Sequence, residues 1–126
     1  MQEPMERDFI NIVTMTKGLG IAGLFSDESY ERYNVNPAKN QKLRLDRFQE
    51  FRLCWKELLK SQECQIRQDS PSSYLLHRLI EQRTGENLSF GAVIAAVIYL
   101  GLPYQHITNT PDVRIGISRQ SPIFQK

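Results

Sequence analysis

The eleven residues FGAVIAAVIYL, Phe90–Leu100, carry no charge and, apart from the Tyr99 hydroxyl, no side chain that needs a hydrogen bond. At about 100° per residue, Phe90, Val93, Ile94, Val97, Ile98 and Leu100 gather on one side of a helix. Gly91, Ala92, Ala95, Ala96 and Tyr99 gather on the other. A helix that is apolar all round must be buried. The rest of the chain therefore has to wrap this segment: its bulky side fills a core and its small side lets another backbone approach closely. The small side also offers a face for a second copy of the chain, so a homodimer through helix 90–100 is one partner expectation.

Two other uses of such a helix are excluded. Leu88–Tyr104 is interrupted by a Ser, two Gly and a Pro, and it falls short of the ~20 apolar residues a membrane span needs. Reading base edges takes Arg, Lys, Asn, Gln, Ser or Thr, and positions 90–100 contain none of them.

Punctuation fixes the neighbouring elements. Ser89 is a candidate N-cap for helix 90–100, with Leu88 and Val93 spaced as a hydrophobic staple, and Gly101 and Pro103 stop it. Upstream, Ser70 is placed to cap and Pro71 to open a helix that Gly85 ends. Phe48, Phe51, Cys54, Trp55, Leu58, Leu59 and Ile66 share one face at 3.6 residues per turn, and Asp46 with Gln49 suits a capping box. This pattern predicts a long amphipathic helix over about 47–66. Met5, Phe9, Ile12, Val13 and Thr16 predict a first helix, ended near Gly18. FSDESYERYNVNPAKN offers at most a short helix before a loop at Asn36-Pro37. YQHIT and VRIGIS flank the turn NTPD and read as a hairpin. The expected fold is mainly α, about four helices around the buried apolar helix 90–100, with a small C-terminal β-hairpin, or α+β if the hairpin extends. At 126 residues, a single globular domain over 1–126 is expected. The N-terminal MQEPMERDF lacks a secretory pattern, so a soluble, cytoplasmic protein is the expectation.

Gly18-x-Gly20-x-x-Gly23 has the spacing of a dinucleotide-binding loop. That loop needs a strand before it, a helix opening on it and an acid about 20 residues on. Here the preceding pattern is helical and no βαβ rhythm follows, so a packed connection between helices is expected instead. Cys54, Cys64, His77 and His106 make a metal-like total. On one continuous helix, however, the two sulfurs would stand about 15 Å apart along the axis and about 80° around it. No metal site is expected, and no disulfide. Cys54 reads as core and Cys64 as an exposed thiol. His77 lies beside an apolar stripe, with Asp69, Glu81 and Glu86 as candidate partners. No HExxH or GxSxG pattern occurs, and neither catalysis nor a cofactor is expected.

The net charge of +2 hides segregation: residues 1–36 carry six acids and three bases, whereas 37–67 carry eight bases and four acids. Two binding readings follow. The favoured one is a non-enzymatic protein that meets a protein partner through DESYERY, where Tyr30 and Tyr33 alternate with acids including Glu28 and Glu31. The alternative is nucleic acid held by Lys39, Lys42, Arg44, Arg47 and Arg52, with Arg114 and Arg119 as further contacts. A small enzyme or nucleotide binder using the glycine loop is a third reading.

The stretch SSYLLHRLIEQRTGENLSFGAVIAAVIYLGLPY with the later VRIGIS resembles small accessory proteins carried by bacterial plasmids and prophages, over residues 72–118. The resemblance implies a regulator or inhibitor that works by binding host or competitor machinery. It assigns no functional residues.

Overall fold

The computed structural model describes residues 2–26 and 40–125. Among the described residues there are four α-helices: α1 Glu6–Met15, α2 Phe48–Leu58, α3 Ser73–Thr84 and α4 Phe90–Leu100. The same residues form two antiparallel hairpins: β1 Leu19–Gly20 with β2 Gly23–Leu24, and β3 Tyr104–His106 with β4 Val113–Ile115. The fold is mainly α with small β elements. No helix among the described residues is long and apolar enough to cross a membrane. The short helix and the Asn36-Pro37 loop expected from the sequence lie outside the described residues.

Helix α4 is the centre. It packs against the other three helices and the first hairpin, and residues 91–97 are all buried. Phe9 of α1, Phe51 of α2 and Tyr99 of α4 form an aromatic cluster, with ring centroids 4.9 Å apart for Phe9–Phe51 and 5.9 Å for Phe51–Tyr99. The second hairpin is held at both ends of its register, Tyr104 opposite Ile115 and His106 opposite Val113. Its inner side chains Val113 and Ile115 are fully buried.

The expected homodimer face is closed. Gly91, Ala92, Ala95 and Ala96 are buried under their own chain. A Cβ on Gly91 would stand 1.9 Å from the Gly20 carbonyl oxygen and 3.1 Å from Leu43. The small face serves an intramolecular close approach, so a second copy cannot use it.

The long helix expected over 47–66 stops at Leu58. Beyond Leu58 the backbone leaves the helix to pair with the C-terminal segment. Ser118 N–H donates to the Gln62 carbonyl (2.8 Å), and Cys64 N–H donates to that of Gly116 (2.9 Å). Gln62 N–H donates to Ser121 Oγ (2.9 Å). Residues 60–65, KSQECQ, offer no large apolar side chain to continue the buried face, so extended pairing wins. Asp46 does not cap α2, which instead follows a 3-10 turn over Leu45–Arg47. Helix α3 is capped by Ser72, whose Oγ accepts from Leu75 N–H (3.2 Å), rather than by Ser70. Pro71 and Ser72 are drawn to β4, with Ile115 N–H donating to the Pro71 carbonyl at 2.9 Å.

Helix propensity alone favours Gly91→Ala by about 1 kcal/mol. The new methyl would meet backbone, which cannot yield cheaply, so overpacking should win and cost about 3 kcal/mol. Urea unfolding of the variant checks the sign; a gain in stability would show that Gly20 and Gly91 are not in contact.

Candidate functional site

Burying α4 leaves the N–H groups of its first turn to be satisfied. Ser89 stands at the N-cap, but its Oγ does not accept from that turn. Both Ser89 Oγ and Ser89 N–H donate to Glu50 Oε1, at 2.8 Å and 2.5 Å. Phe90 N–H donates to the Ile21 carbonyl in the turn of the first hairpin (3.1 Å). Glu50 Oε2 accepts from Arg47 Nη1 at 2.9 Å. Burial alone would raise the Glu50 carboxyl. The Arg47 guanidinium and the two Ser89 donors outweigh it and hold the group below the usual carboxylate range. A negative charge at a helix amino end is also favoured by the macrodipole.

The glycine loop is a scaffold part. It follows a helix and is tightly packed, as expected from the sequence, but it folds as the β1–β2 hairpin. Gly18 and Gly23 take φ of +86° and +125°. A Cβ on Gly20 would fall 2.4 Å from Asn40 Oδ1, which accepts from Ala22 N–H at 2.9 Å. The three glycines are spent on contacts to the protein's own backbone and to Asn40.

The histidines and cysteines are separated. His77 is buried, donates from Nε2 to the Leu88 carbonyl at 2.7 Å and stacks on Phe90 at 4.0 Å. Its Nδ1 lies 3.5 Å from Glu81, one of its three candidate partners. His106 Nε2 faces the carbonyls of Leu24 (3.1 Å) and Thr110 (2.6 Å), tying the two hairpins together. Cys54 is buried, and burial with the nearby Glu50 and Glu57 charges pushes its thiol up; Cys64 is exposed, and both are free. The two cysteines are not on one helix, since α2 ends between them. Among the described residues, no group of three His, Cys, Asp or Glu is placed to hold a metal.

The basic stretch is partly consumed internally. Arg47 pairs with Glu50 and Arg52 with Glu3. Lys42 and Arg44 are exposed and make no ion pair among the described residues. Arg114 and Arg119 donate to the carbonyls of Gln68 (3.3 Å) and Asp69 (3.0 Å). Lys39 and the acidic–aromatic set Glu28, Tyr30, Glu31 and Tyr33 lie outside the described residues.

A groove of about 720 Å³ runs beside α2, between that helix and the α3–α4 connection. Leu53, Trp55 and Leu59 line it from α2 and its end, and Thr84, Glu86, Asn87 and Leu88 from the opposite wall. The Trp55 indole N–H is buried without an acceptor among the described residues, so the ring contributes only carbon to the groove. Leu59 is 38% exposed. The sequence pattern placed Trp55, Leu58 and Leu59 together on a core face and missed the groove. The available signal was the apolar-poor run after Leu59, which ends the helix and leaves Leu59 half outside.

Glu50→Gln should cost about 1–2 kcal/mol at neutral pH, because a charged acceptor is lost at the α4 amino end. The folded carboxyl titrates below the unfolded one, so the unfolded chain binds more protons between the two values and stability rises with pH there. The gap between wild type and variant should be full above about pH 6 and vanish as pH falls through the carboxylate range. Urea unfolding from pH 3 to pH 7 checks this; a pH-independent gap would contradict it. Compared with known proteins, the chain matches no family model, no curated protein and no solved structure.

Proposed function

We propose that the chain is a non-enzymatic binding protein, a regulator or inhibitor acting in a bacterial cytoplasm, and that the groove beside α2 receives a segment of a protein partner. The observation carrying this reading is the apolar floor of that groove, Leu53, the Trp55 ring, Leu59 and Leu88. A concave apolar floor with a polar rim is what a partner's anchor side chain requires. From Gln49 to Leu59 the α2 wall runs about 15 Å, enough for three turns of a docked helix or a short extended segment. The imidazole of His77 and the carboxylate of Glu50 are already engaged in holding α3, α4 and α2 together, which favours binding over catalysis. The resemblance to plasmid and prophage accessory proteins fits a partner in host or competitor machinery. Nucleic-acid binding is the weaker reading, because Arg47 and Arg52 are already paired with carboxylates.

Panning a random dodecapeptide library on the immobilised chain tests the reading. Enriched peptides should carry a large apolar anchor and should lose binding to Leu59→Glu. That substitution falls on a half-exposed position and should shift the melting temperature by no more than about 3 °C. Peptides that bind wild type and Leu59→Glu equally would place the binding surface elsewhere.

A further inference from the structure

The charged groups around the groove divide into those already used and those left over. Arg52 is paired with Glu3, Glu50 with Arg47 and Ser89, and Glu57 with Arg83. Lys56 on the α2 wall and Glu86 on the opposite wall both line the groove and are exposed. Among the described residues, neither side chain makes a hydrogen bond or an ion pair, with each other or with anything else. One unspent cation and one unspent anion therefore line the same groove, one from α2 and one from the α3–α4 connection.

We infer that the groove selects a partner segment carrying an acidic side chain on the Lys56 side and a basic side chain on the Glu86 side, flanking an apolar anchor seated on Leu53 and Leu59. This rests on the groove being the partner site. Charges at a rim add little affinity in water, but they penalise like charge and fix orientation, so their contribution is specificity. Two opposite charges on opposite walls discriminate between the two directions in which a segment can lie. A groove with one sign of charge on its rim could not do so.

The experiment is the same dodecapeptide panning, with the full chain as wild type, Lys56→Glu, Glu86→Lys and the double variant, each checked for an unchanged melting temperature. Peptides enriched on wild type should carry an acid on one side of the anchor and a base on the other. Lys56→Glu should replace the acid by a base and Glu86→Lys should replace the base by an acid, whereas the double variant, with its two charges exchanged, should accept the wild-type peptides lying in the opposite direction. A wild-type peptide should bind each single variant about fivefold more weakly. If all four proteins enrich the same peptides and those peptides fail on Leu59→Glu, the charge inference falls while the groove remains the site. If the peptides also bind Leu59→Glu, or none is enriched, the groove reading falls and this inference with it.

Discussion

A helix with no charged side chain, and no polar group beyond the Tyr99 hydroxyl near its far end, can be buried only if something else satisfies the backbone at its amino end. In this protein that task falls to one carboxylate and one hairpin turn. Glu50 takes the Ser89 N–H and hydroxyl, and the Ile21 carbonyl takes the Phe90 N–H. Leaving such donors unpaired would cost about 1–3 kcal/mol each, a large part of the net stability of a small domain. Because Glu50 sits on α2 and Ile21 on the first hairpin, the same bonds fix where both elements lie against α4.

The small side of α4 follows from that arrangement. For Ile21 to reach the helix end, the hairpin backbone must lie almost on the helix, and Gly91 opposite the Gly20 carbonyl is what permits it. The hairpin is then locked from its other side by Asn40, which accepts from Ala22 N–H and donates to the Gly18 carbonyl at 3.0 Å. A spacing that resembles a phosphate cradle is thus fully accounted for by close packing. The glycines that invite a nucleotide reading are where the protein's own backbone and the Asn40 side chain come too near for a Cβ.

Local patterns carried the helices well and their long-range interruptions badly. The apolar run 90–100, the glycine stops at 85 and 101, and the C-terminal hairpin were legible because caps, period and turn chemistry are local. The end of α2 at Leu58 was not, since it depends on residues 62–64 meeting 116–121 across the fold. For the same reason Ser72, not Ser70, caps α3: strand pairing at Pro71 and Ser72 sets where the helix can begin. The basic stretch offered a surface for phosphate only as an alternative reading, and Arg47 and Arg52 find carboxylates at positions 50 and 3. The second of those partners is invisible to any local reading. The groove forms between elements whose separation the sequence does not state, and its one local signal was the apolar-poor run after Leu59.

One helix joins scaffold to site. The inner side of α2 supplies Phe51, Cys54 and Leu58 to the core and Glu50 to the amino end of α4, so α2 cannot shift without exposing polar groups in the interior. Its remaining side supplies Leu53 and Lys56 to the groove, and the turn that follows supplies Leu59. The opposite wall is no looser. Leu88 is held by His77 at its carbonyl and by Glu81 at its N–H (2.9 Å), and Thr84 Oγ1 donates to the Ile80 carbonyl at 2.8 Å. Two walls fixed by buried and part-buried hydrogen bonds give a groove that is already shaped before anything enters it. Little ordering entropy would then be lost on binding, which supports the proposal that a small apolar floor with a pair of rim charges acts as a selective surface.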